Sequence, residues 1–90
     1  MKYFVDAECQ EYDDYEFRTC LVETDNIQRF IDNNMTENWF HENVNAAIKR
    51  GTVSFRNNVG RWEMTIKKCT SVEWETLKRF IDVFVEEETK

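Results

Sequence analysis

Proline is missing from all 90 residues, and glycine occurs only twice, at Gly51 and Gly60. Chain reversals must therefore fall to Asn, Asp and Thr clusters, which predicts short, tight connections and excludes flexible linkers. Histidine occurs once, as His41, with no His or Cys partner at zinc-site spacing. No run of about 20 apolar residues could cross a membrane. The opening Met1–Asp6 stretch lacks the apolar run of about 7–15 residues that a secretory signal needs. Cys9, Cys20 and Cys69 are an odd number without a Cys-x-x-Cys pair, so they read as reduced thiols of a cytoplasmic protein. Gly-rich phosphate loops, Gly-x-Ser-x-Gly elbows and His-Glu-x-x-His pairs are all missing. A chain this short also leaves little volume for a substrate pocket. The expectation is no enzyme activity, no cofactor and no resident metal.

Aromatics, by contrast, are plentiful: seven Phe, three Trp and three Tyr supply enough bulk for one small core. The chain is 41% hydrophobic, too much for a disordered segment, and 33% charged, too much for a membrane protein. One compact α+β domain over residues 1–90 follows.

Tyr3, Val5, Ala7 and Cys9 alternate with polar neighbours, the period of a half-buried strand. Tyr12-Asp13-Asp14 reads as a turn and Glu16 to Glu23 as the returning strand. Thr24 or Asp25 can cap a helix carrying Ile27, Phe30 and Ile31. Thr36 can cap a second, over 37–50, in which Phe40, Val44, Ala47 and Ile48 share a face and Gly51 ends it. Val53 and Phe55, then Trp62, Met64 and Ile66, alternate on either side of Asn57-Asn58-Val59-Gly60, a second hairpin. Thr70 and Glu73 have capping-box spacing. They open a last helix with Trp74, Leu77, Phe80, Ile81 and Phe84 on its apolar stripe and Glu86-Glu87-Glu88 fraying beyond. The expected order is ββααββα, two hairpins joined in one antiparallel sheet with three helices on one face. Phe17, Phe30, Phe40, Phe55, Trp62, Phe80 and Phe84 are the expected core.

The net charge of −6 is unevenly spread. Residues 1–25 hold eight acids against Lys2 and Arg18, whereas residues 26–69 hold four acids against seven bases. Glu8, Glu11, Asp13, Asp14 and Glu16 crowd around the first turn, flanked by Tyr12 and Tyr15. Clustered like charges steer partners of opposite sign, and tyrosines add rigid contact area. These seven residues are the candidate partner-binding site, able to mimic nucleic-acid phosphates toward a basic protein surface. The plainer reading is a solubilising hairpin tip. A third, a hard-cation site at Asp13, Asp14 and Glu16, lacks calcium-loop spacing. Arg56, Arg61 and Lys67 on the second hairpin admit a phosphate-binding alternative, though Glu63 interrupts them. Val72, Val83 and Trp39 lie off the apolar stripes and admit another, a structural or accessory subunit assembling through an apolar helix face.

In its acidic, aromatic-rich, glycine-poor make-up the whole chain resembles the small proteins phages use to block host defence enzymes, and toxin-immunity proteins. That likeness is one of composition and transfers no residues. It implies an inhibitor acting in the host cytoplasm, whose acidic hairpin engages a basic, nucleic-acid-binding enzyme.

Overall fold

The computed structural model describes residues 1–12 and 14–86. The chain forms β1 (Lys2–Glu11), β2 (Asp14–Glu23), α1 (Ile27–Asn34), α2 (Asn38–Glu42), α3 (Val44–Arg50), β3 (Thr52–Arg56), β4 (Gly60–Lys68), α4 (Ser71–Leu77) and β5 (Val83–Val85). The strands make one sheet in the order β3-β4-β1-β2-β5. Four contacts between neighbours define it: β1 runs antiparallel to β2 and β4, β3 antiparallel to β4, and β5 parallel to β2. The chain is α+β, but the expected two-hairpin, three-helix, all-antiparallel arrangement is overturned. The sheet is five-stranded and mixed, with four helices.

Each departure has a local cause. The helix expected over 37–50 breaks at Asn43, whose side-chain amide donates to the Trp39 carbonyl at 2.7 Å while its backbone (φ −113°, ψ 11°) leaves the helix. The last helix stops at Leu77, because Lys78–Ile81 fold back and the Phe80 and Ile81 N–H groups both donate to the Leu77 carbonyl. Val83–Val85 then pair with the outer edge of β2 instead of extending the helix. The start of α4 is as read, with the Thr70–Glu73 capping box closed in both directions. Gly51 ends α3 at φ +86°, a left-handed conformation that favours glycine. For α1 the cap is Asn26 rather than Thr24 or Asp25, its side chain accepting from the Arg29 N–H at 3.0 Å.

Pairing register decides what each face meets. Tyr3, Val5, Ala7 and Cys9 share one face with Cys20 and Val22 of β2 and with Trp62, Met64 and Ile66 of β4. Against it pack Ile27, Phe30, Ile31, Met35, Phe40, Val44 and Ala47 from the three central helices, making the core. The other face carries Phe4, Asp6, Glu8, Tyr15, Phe17 and Leu21. There α4 covers only one end, lining a 220 Å³ hollow with Phe4, Lys67 and Lys68. That cover accounts for the burial of Trp74 and of Leu21, the cross-strand neighbour of Phe4. Helices thus sit on both faces, not on one.

Three expected core residues are corrected. Phe17 lies on the face α4 leaves bare and is 57% exposed, Phe55 sits on edge strand β3 at 47%, and Phe80 stands in the post-helix turn at 83%. Phe30, Phe40 and Trp62 are buried, and Phe84, half-buried from β5, packs its ring tilted against Phe30 with centroids 6.0 Å apart. Glu86 does not fray: its carboxylate accepts from Arg29 Nε at 3.0 Å and from the Thr24 hydroxyl at 2.9 Å. Glu87 and Glu88 lie outside the described residues. No helix among those described is long and apolar enough to cross a membrane.

Candidate functional site

The first hairpin closes through a two-residue link, with Glu11 opposite Asp14 and Tyr12 at φ +51°. Tyr12 donates its N–H to the Val59 carbonyl at 3.3 Å, tying this turn to the β3–β4 turn. The acidic and basic hairpins are therefore side by side at one end of the sheet. Strand alternation splits the candidate residues between the two faces, and Asp13 lies outside the described residues. Glu8 points to the bare face, where Arg61 Nη2 reaches its carboxylate at 2.9 Å, so its charge is compensated locally. Tyr15 is on that same face and 61% exposed; its ring lies nearly parallel to that of Phe17, centroids 6.3 Å apart. The exposed aromatic pair is a feature the sequence reading missed, having assigned Phe17 to the core.

Glu11, Asp14 and Glu16 belong with the helical face. Glu16 accepts from the Thr36 N–H (3.0 Å), the Thr36 hydroxyl (2.8 Å) and the Glu37 N–H (3.2 Å). Its carboxylate thereby satisfies backbone donors at the entry to α2, the role the sequence had given Thr36. This bridge carries Glu37 to the hairpin. Cys9, Glu11, Asp14, Tyr15, Glu16, Thr36 and Glu37 together line a cleft of 270 Å³. No Lys or Arg lines it, and none of its four carboxylates is in an ion pair among the described residues. Glu37 was not legible as a site residue, since only the Glu16 contact, 21 positions away, brings it there.

The cleft leaves its mark on Cys9. Burial pushes its thiol up to about 11, with further upward pressure from Glu37, Glu11, Glu16 and Asp14. Burial also pushes Cys20 up to about 11, and Cys69 is raised for the same reason. None is an activated thiolate, so a cysteine nucleophile has no support here. In the unfolded chain the Cys9 and Cys20 thiols ionise near their ordinary value of 9.0, whereas in the folded chain they resist ionisation until about 11. Their stabilising contribution is thus complete below about pH 9 and is lost as pH rises toward 11. Denaturant midpoints measured from about pH 8 to 11 should fall across this window, and less steeply in Cys20→Ala. Comparing the two chains isolates the contribution of the Cys20 thiol. Parallel slopes would contradict the burial of Cys20.

Other candidates separate. His41 places Nε2 2.7 Å from the Met35 carbonyl, a structural contact in which the nitrogen donates. Among the described residues, no three His, Cys, Asp or Glu side chains converge to hold a metal. Arg56 and Arg61 are cross-strand neighbours on the bare face, as alternation implies, but Glu8 and Glu63 lie beside them. Val72 is on α4, Val83 on β5 and Trp39 packs against the core from α2, so they do not make one helix face. The chain matches no family model, no curated protein and no solved structure.

Proposed function

We propose that this protein is a small acidic protein-binding inhibitor, which presents the closed end of its first hairpin to a basic surface on a partner. The observation that carries this reading is the cleft of Glu11, Asp14, Glu16 and Glu37, four carboxylates without a lining cation. Such a cluster creates a negative field where a Lys or Arg side chain can enter. Charge-assisted hydrogen bonds to carboxylate oxygens would then hold it. Tyr12, 77% exposed at the turn, and Tyr15 supply contact area on the rim. A surface evolved to grip phosphates offers the matching cations, so a nucleic-acid-binding enzyme is the partner class that fits best. Occupying that surface would exclude the nucleic acid.

The test is capture of a partner from native-cell extract, with the unmodified chain and two double variants as bait. Glu11→Lys with Asp14→Lys should abolish capture, while Arg56→Glu with Arg61→Glu should leave it intact. Asp14 is exposed and Glu11 only half-buried, so stability should stay within about 0.5 kcal/mol in the first pair. Retention should also weaken between about 50 and 500 mM salt, as exposed charge contacts do. Capture that survives the acidic variant and fails with the basic one would reverse the assignment and favour phosphate binding by the second hairpin.

A further inference from the structure

β2 pairs with β1 along its whole length but with β5 only from Leu21 to Glu23. Three hydrogen bonds show which way its backbone groups point. Thr24 donates to the Met1 carbonyl on the β1 side, whereas Leu21 donates to Asp82 and Glu23 accepts from Glu86 on the outer side. Alternation then directs the N–H and C=O of Tyr15, Phe17 and Thr19 outward. None of these groups has a hydrogen-bond partner among the described residues. A row of unpaired backbone groups is a template for another strand.

The side chains along this open edge differ between the faces. Asp14 and Glu16 flank the carboxylate cleft on one side, where Arg18 follows them but lies over the Phe84 ring at 5.4 Å, and the exposed Tyr15–Phe17 pair stands on the other. We infer that the edge from Asp14 to Cys20 takes up an extended basic segment of the partner protein as an added strand. Its Lys or Arg side chains face the cleft and its alternate apolar side chains cover Tyr15 and Phe17. This deepens, and rests on, the acidic-site reading above. A strand added this way gains affinity from main-chain hydrogen bonds and selectivity from alternate side chains. The sheet's other edge, β3, carries no carboxylate and ends in Arg56, so it does not suit a basic strand. A second copy of the chain is disfavoured by charge, since two molecules of net −6 would meet.

The probe is a capped eight-residue peptide of alternating lysine and valine, titrated into the full chain and followed by amide chemical shifts and hydrogen exchange. Binding should slow exchange at Tyr15, Phe17 and Thr19. Methylating alternate peptide nitrogens should weaken it by about tenfold or more, the loss expected from removing about two backbone hydrogen bonds. Phe17→Pro should do the same, because it removes an outward N–H that no native ladder bond uses. The methylated peptide gives the same information if that variant does not fold. If methylation changes nothing while Glu11→Lys with Asp14→Lys removes binding, strand addition is wrong and the acidic-site reading stands. If methylation matters but the lysine variant binds equally well, the basic character of the partner is wrong. No binding, or a dimer in sedimentation of the peptide-free chain, would also overturn the inference.

Discussion

Replacing Phe40 with alanine should cost about 3–5 kcal/mol, while the same change at Phe80 should stay within about 0.5 kcal/mol. Both phenylalanines sit on an apparent helical stripe in the sequence, so the contrast isolates tertiary placement from residue type. Phe40 is fully buried among residues of the helices and the sheet. Its removal forfeits the transfer energy of a large side chain and leaves a cavity that close-packed neighbours fill only in part. Small domains have about 5–15 kcal/mol in total, so this one change approaches the limit of folding. Phe80 is 83% exposed in the turn that follows α4 and has little burial to lose. Urea denaturation of both variants is the measurement. A Phe80→Ala loss above about 2 kcal/mol would mean that the last helix runs on and turns this ring inward.

Gly60→Ala should be the other costly change, about 1–3 kcal/mol or more, despite adding one methyl group at a half-buried position. Gly60 starts β4 directly opposite Glu11. A Cβ there would stand 2.1 Å from the Gln10 carbonyl oxygen and 2.9 Å from the Glu11 Cα. These are backbone atoms, so no side chain can swing aside, and β4 must part from β1 at its first pair. The Tyr12 to Val59 hydrogen bond beside it should loosen as well. Amide exchange should therefore quicken at Tyr12 and along the start of β4 before it quickens at the opposite end. Uniform exchange with unchanged stability would show that the strands approach less closely than described.

Much of the scaffold was written in short-range patterns. Period-2 alternation marks β1 and β4, the Thr70–Glu73 spacing marks the start of α4, and Gly51 marks the end of α3. The errors came where two local readings compete and distant contacts decide. Val83-Phe84-Val85 continues a helical stripe and is equally a good β sequence; the open edge of β2 selects the strand. Along β2 both sets of alternate residues include apolar members, Phe17 and Leu21 against Cys20 and Val22. Alternation shows that there are two faces without showing which one the helices cover. The candidate site was half legible for the same reason. Its acids announce themselves by density, but their division between the faces depends on register, and Glu37 arrives only through the grip of Glu16 on the start of α2.

The central position of β1 sets a timetable for synthesis. Its near neighbour β2 emerges at once, but its other flank waits for β4, which begins at Gly60. At roughly 5–20 residues per second, that leaves the inner strand of the nascent hairpin open for roughly 3–10 s. Throughout that interval Tyr3, Val5, Ala7 and Cys9 have only early helices to shelter them. Asp6, Glu8 and Glu11 put like charges along the same strand, and such repulsion disfavours pairing between two chains whose strands are still open.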